Sequence, residues 1–237
     1  MKVVSERFGS IDSLALDQVS FTYGGHAPLL DRVSFSFPLN GVVRIAGAQG
    51  TGVSTLLQIL AGLIELEQGR YLINGRDVGE FSAAELTAFQ LSVGYAFDYG
   101  GLLSNQSLLE NLLLPATYHG LLSVEAARTR AHKLLDEFHI LEEKDSRPAM
   151  ASAGARKTCI LARSLILEPQ VLILDNPTEG LRHEATRTLI RVIKRHQAEA
   201  GLRHLFVATE DSSFLSEFDC RTISLNGYRL VGEAMAA

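Results

Sequence analysis

Short apolar runs closed by turn residues alternate along this chain with longer stretches in which apolar residues recur at helical spacing. Val171-Leu172-Ile173-Leu174 is a continuous apolar run ending in Asp175, the pattern of a parallel strand buried on both faces. Residues 42–46 read the same way, and residues 14–23 and 29–37 form two further predicted strands joined by a turn around Gly24-Gly25. Pro38-Leu39-Asn40-Gly41 turns the chain into the run at 42–46, and Glu67-Gln68-Gly69 turns it into a short strand at 70–74. Residues 82–90 read as a helix and 91–97 as a strand. From Ser107 to about Leu167 the character becomes helical, with Ala127, Ala131, Leu134 and Phe138 spaced four, three and four apart on one face. A helix at 184–198, a strand at 204–209 and a hairpin around Asn226-Gly227 close the chain. Alternating strands and helices predict an α/β fold in one domain over residues 1–237, with a helical subdomain at about 107–167.

Between the strand at 42–46 and a predicted helix at 53–63 lies Gly47-Ala48-Gln49-Gly50-Thr51-Gly52-Val53-Ser54-Thr55. Strand, glycine-rich turn and helix are the context of a phosphate-binding loop. Glycines let backbone N–H groups curl around phosphate oxygens, and the helix N-terminus adds a favourable partial charge. Ser54 would ligate Mg²⁺. The lysine that bridges the outer phosphates in such a loop is replaced by Val53, which has neither charge nor donor. By itself the segment is also compatible with an ordinary glycine-rich turn.

Composition narrows the reading. The chain has 237 residues, 46% hydrophobic, with net charge -5, which suits one sizeable domain and does not favour a nucleic-acid footprint. Cys159 and Cys220 both sit in apolar contexts and read as small core residues. The histidines show no metal spacing; His132 and His139 lie seven apart on a predicted helix, where a solvated or partly packed face is expected. No apolar run reaches the ~20 residues needed to cross a membrane. The first ten residues lack the apolar core of a signal peptide. The expectation is a cytoplasmic chain that meets a membrane only through a partner.

In this order the pieces resemble the ATP-binding subunit of an ABC transporter, from about Leu14 to Val231. The resemblance implies a P-loop NTPase fold of the ABC-ATPase type: a mixed sheet core, an antiparallel β subdomain and an inserted helical subdomain. Tyr23 in Phe21-Thr22-Tyr23 matches the ring that stacks on adenine, and Gly47, Gly50, Gly52, Ser54 and Thr55 match the loop around the phosphates. Tyr95-Ala96-Phe97-Asp98 matches the Q-loop. Residues 151–155 match the signature LSGGQ, of which Ser152 and Gly154 remain, and the following 160–165 matches the helix after it. Residues 171–181 match the second nucleotide-binding motif, with Asp175 linked to the metal beside Ser54. Residues 206–211 fall at the switch histidine. The implied ligands are ATP and Mg²⁺. The implied partners are a membrane permease, received in a groove around residues 97–115, and a second copy or a second cassette.

Besides the signature and the loop at 179–182, which reads Glu179-Gly180-Leu181-Arg182 where an aspartate would end it, four catalytic positions depart from that pattern. Val53 replaces the lysine, Asp98 the Q-loop glutamine, Asn176 the glutamate that would act as general base, and Glu210 the switch histidine. An amide accepts no proton near neutral pH, and loss of a general base typically costs roughly 10²–10⁴-fold in rate. Asp98 and Glu210 would bring carboxylates toward the phosphates and repel them unless Mg²⁺ bridges them, and no group in the chain stands out as restoring these losses together. The reading favoured by these positions is a subunit with degenerate catalytic motifs, structural or regulatory, that binds nucleotide weakly or not at all. The alternatives are a working ATPase with an atypical site and a soluble regulatory module without a transporter. The stretch 100–115 also resembles importers and lipid-trafficking members, including the MCE-linked and lipoprotein-release types.

Overall fold

The computed structural model describes residues 8–24, 27–98 and 101–232. Two sheets organise it. The antiparallel sheet has the order β2-β1-β4-β5, with β1 Leu14–Phe21, β2 Leu30–Ser36, β4 Gln68–Ile73 and β5 Arg76–Asp77. The larger sheet has the order β10-β9-β3-β8-β7-β6, with β3 Gly41–Ala46, β6 Val93–Ala96, β7 Val171–Asp175, β8 His204–Ala208, β9 Cys220–Asn226 and β10 Arg229–Val231. Its pairings are parallel except for the β9–β10 hairpin at one edge. β7 and β8 are buried at every residue, as continuous apolar runs in a covered parallel sheet require. This is the mixed sheet with an antiparallel companion that the family resemblance implies.

Helices α1 Val53–Leu60, α2 Ala83–Leu91, α6 His183–Glu199 and α7 Ser212–Leu215 accompany the sheets. α3 Leu108–Tyr118, α4 Val124–Glu137 and α5 Ala153–Leu165 lie in sequence between β6 and β7. α2 and α3 each open on a capping box, from Ser82 with Glu85 and from Ser107 with Glu110, which satisfies orphan N–H groups at both starts. Leu108, Leu109, Leu112 and Leu113 of α3 are all buried. They join Ala127, Ala131, Leu134 and Phe138 and the buried face of α5 in one core. A second core sits between the sheets and α1, around Leu56, Leu57, Ile59, Leu60, Tyr71, Phe89 and Phe206.

Several expectations are corrected. β1 ends at Phe21, so Tyr23 lies beyond the strand in the connection. The turn proposed at Gly24-Gly25 falls partly outside the described residues, since Gly25 is not among them. α1 stops at Leu60 rather than 63, because Gly62 takes a left-handed φ of 66° that ends the helical path. α4 stops at Glu137, and His139 follows it exposed, at a φ of 57°, so the two histidines do not share a helix. Cys159 is a core residue, its thiol pushed up to about 12 by burial. Cys220 is only half-buried at the start of β9.

Candidate functional site

The loop after β3 folds back on itself through Thr51, whose N–H and hydroxyl both donate to the Ala48 carbonyl at 3.1 and 2.7 Å. Gly50 and Gly52 take φ values of 82° and 97°, which side-chain-bearing residues rarely adopt. A Cβ on Gly47 would lie 2.6 Å from the Thr51 hydroxyl and 2.8 Å from a Val53 methyl. No side chain caps the start of α1 at Gly52 and no acidic residue lies in its first turn. Its first N–H groups therefore keep no capping carboxylate between them and an incoming anion.

This loop forms one wall of a cavity of about 880 Å³, within the range of small-molecule sites. Tyr23, Gly47, Gly50, Gly52, Val53, Ser54, Thr55, Asp98, Asp175, Asn176, Glu179 and Glu210 line it. The strand ends deliver them: β3 carries the loop, β6 leads to Asp98, β7 ends at Asp175, and β8 leads to Glu210. Parallel sheets place such positions together outside the carboxyl ends of their strands.

Asp175 is buried, and burial pushes its carboxyl above the ordinary aspartate value, opposed by a hydrogen bond from Ser54. A buried carboxylate beside a hydroxyl, facing a phosphate-shaped loop, is an oxygen donor pair that suits Mg²⁺, which usually takes one or two protein carboxylates plus substrate phosphates. Among the described residues no group of three or more His, Cys, Asp or Glu could hold a metal by itself. Tyr23 is half-exposed, packs edge-on against Phe21 at 4.9 Å, and accepts a long 3.4 Å bond from the Thr55 hydroxyl.

The departures from the resemblance take a form the sequence did not suggest. Glu210 pairs with Arg44 of β3 at 2.6 Å, and Arg44 also donates to the Thr209 carbonyl. Asp98 meets Lys157 of α5, whose ammonium donates to the Asp98 carbonyl oxygen at 2.9 Å and lies 3.4 Å from its carboxylate. The Asn176 amide donates to the other Asp98 oxygen at 3.1 Å. Two cations thus face the two carboxylates expected to repel phosphate. Neither Arg44 nor Lys157 belongs to a motif of the sequence. The one available signal is a lysine two residues before the apolar run from Cys159 to Ala162, since buried lysines need partners.

Ser152 and Gly154 lie apart from this cavity and line a separate depression of about 530 Å³ with Gly180, Leu181 and Arg182. Ser152 caps α5 by accepting from Ala155 N–H, while its own N–H and hydroxyl donate to Glu143 at 2.8 and 2.9 Å. The stretch 97–115 reaches a smaller hollow of about 220 Å³ through Phe97 and Pro115, beside Tyr95 and Arg163. Tyr99 and Gly100 within that stretch lie outside the described residues.

The model of the family described as ABC transporter matches residues 30–179. The chain belongs to the ABC transporter family. Curated relatives of this cassette include the methionine import ATP-binding protein MetN of Rhizobium johnstonii, 32% identical over 206 residues that cover 87% of this chain and 56% of the relative. Methionine import ATP-binding protein MetN 1 of Burkholderia pseudomallei is 30% identical over 209 residues, 88% of this chain and 60% of the relative. The cassette therefore spans a little over half the length of these relatives. A bacterial ABC transporter cassette solved as a dimer superposes with a TM-score of 0.83 at 25% identity, covering 94% of this chain and 99% of that one. A nucleotide-free cassette superposes with a TM-score of 0.73 at 20% identity over 93% of this chain and 92% of that one, a likeness of fold. No helix among the described residues is long and apolar enough to cross a membrane.

Proposed function

We propose that this chain is the nucleotide-binding subunit of an ABC transport complex, and that its own site binds Mg-ATP without turning it over at a useful rate. The single observation that carries the second half is Asn176. It stands directly after Asp175 and spends its amide on Asp98 at 3.1 Å, so no proton acceptor stands at that position of the loop. Ser54 and Asp175 would hold the metal and the glycine loop the phosphates. A divalent cation held there would supply positive charge that screens the phosphates from the carboxylates of the cavity. Tyr23 would stack on the base once it gives up its long bond to Thr55.

Binding in this reading differs from the weak or absent binding expected from the sequence. Lys157 and Arg44 offset Asp98 and Glu210, which removes much of the repulsion. The similarity to ATP-binding proteins of methionine import also supports nucleotide binding and a role in import. It offers no support for lipid or lipoprotein transport. The same similarity favours the second reading, a working ATPase with an atypical site, in which Asp98 would be the carboxylate available to the reacting water. The partners proposed are a membrane permease seated against the hollow reached by Phe97 and Pro115, and a second cassette or copy facing Ser152 and Gly154. Residues 107–167 would act as one helical subdomain.

Titration of the purified chain with Mg-ATP, with phosphate release followed in the same sample, separates the readings. Saturable binding with phosphate release no faster than buffer supports the first. Release that disappears in Asp175→Ala supports the second.

A further inference from the structure

Val53 removes the cation from the phosphate loop, yet the cavity has a cation behind its far wall. Lys157 is 8% exposed on α5, and its ammonium reaches both the main-chain oxygen and the carboxylate of Asp98. Lys157 does not line the cavity, whereas Asp98 does. Both carboxylate oxygens of Asp98 thus have a donor, one from Lys157 and one from Asn176. The remaining acids of the cavity are Asp175, tied to Ser54, Glu179, and Glu210, tied to Arg44. An ammonium buried against a carboxylate acts through little intervening water, so its charge is felt at the cavity surface more strongly than an exposed one.

From this geometry we infer that Lys157 is a positioning residue of the nucleotide site: it neutralises and fixes Asp98, and so allows the cavity to accept polyphosphate despite the missing loop lysine. The inference rests on the reading that nucleotide binds this cavity. It makes Lys157 and Asp98 a unit. With Lys157 removed, Asp98 presents an uncompensated carboxylate to the phosphates. With Asp98 neutralised and Lys157 retained, the ammonium keeps its 2.9 Å bond to the main-chain oxygen of residue 98, and its charge beside the cavity is no longer cancelled.

The test is calorimetric titration of the full chain with Mg-ATP and, separately, with adenosine, on wild type, Lys157→Met, Asp98→Asn and the double variant. A hydrogen bond to a charged group contributes roughly 1.5–3 kcal/mol, which corresponds to about ten- to a hundred-fold in Kd. Lys157→Met should weaken Mg-ATP binding by about that factor, Asp98→Asn should strengthen it, and the double variant should return to within about threefold of wild type. Adenosine binding should stay unchanged throughout, which a general loosening of the fold would not allow. Equal Mg-ATP affinity in wild type and Lys157→Met overturns the inference, as does a double variant no better than Lys157→Met. Wild type that binds no Mg-ATP at millimolar concentration, with Asp98→Asn equally silent, overturns the nucleotide reading itself. If Lys157→Met fails to fold, Lys157→Gln with the same ligands decides the matter.

Discussion

Returning a lysine to position 53 tests whether the loop is intact in shape and deficient only in charge. Val53 opens α1 and is half-buried, with its side chain against the core between the sheets. One of its methyls occupies the space beside Gly47, 2.8 Å from where a Cβ there would stand. Lysine is unbranched at Cβ, so the crowding at Gly47 falls. Its aliphatic stem can lie where valine lies and its ammonium extend into the cavity. The backbone is already set by Gly50 and Gly52 at φ of 82° and 97°, so no further reorganisation is asked of it. One charge-assisted hydrogen bond to phosphate contributes roughly 1.5–3 kcal/mol, or about ten- to a hundred-fold in Kd. Asp98 and Asp175 line the same cavity and would draw the new ammonium when the site is empty, which places the expected gain for Val53→Lys toward the lower end, about tenfold. The assay is calorimetric titration with Mg-ATP at fixed salt, with Val53→Met as the control for stem length. An affinity unchanged from Val53→Met would refute the claim that charge is what the loop lacks.

Three further outcomes follow from the same geometry. Asn176→Glu should not create turnover, because the new carboxylate would face Asp98 where the amide now donates at 3.1 Å and like charges there resist joint ionisation. Asn176 also sits at a left-handed φ of 44°, so glutamate adds roughly 1 kcal/mol of backbone strain and the melting temperature should fall; phosphate release above buffer would contradict this. Asp175→Asn should raise melting temperature at pH 7 without Mg²⁺ while abolishing Mg²⁺-dependent nucleotide binding. Burial raises the Asp175 carboxyl, so the folded state disfavours the ionised form and the amide relieves that cost. An unchanged or lower melting temperature would count against it. His204 is buried, takes the Asn40 N–H on Nδ1 at 2.9 Å and donates from Nε2 to the Ile11 carbonyl, and burial lowers its pKa. Its neutral form is the folded one, so its share of stability is present above the unfolded value of about 6.5 and lost as pH falls below it. His196 shifts in the same direction through burial. Denaturant titrations from pH 8 to 5 should show stability falling on the acid side, with a shallower fall in His204→Gln. An equal slope in both would contradict the assignment.

The parts of the fold that were legible in the sequence rest on local rules. β7 reads as a run of consecutive apolar residues, the helical stretch from Ser107 shows apolar residues at helical spacing, and the phosphate loop announces itself by glycine spacing. Element ends were less legible, since the stop at Leu60 depends on the handedness Gly62 adopts. The pairings that set the electrostatics of the cavity join residues far apart in sequence, Lys157 with Asp98 and Arg44 with Glu210. No local pattern encodes them; parallel strand order and the packing of α5 create them. For that reason the four departures looked like simple losses in the sequence, while in the structure two of them are answered by a cation from another element.

The most direct measurement of the central proposal is Mg-ATP binding by calorimetry on the purified full chain, with phosphate release recorded in the same cell. Saturable binding that requires Asp175, with release indistinguishable from buffer, is the predicted result. Steady release that Asp175→Ala abolishes would contradict it and establish a working ATPase whose carboxylate chemistry lies elsewhere than at Asn176.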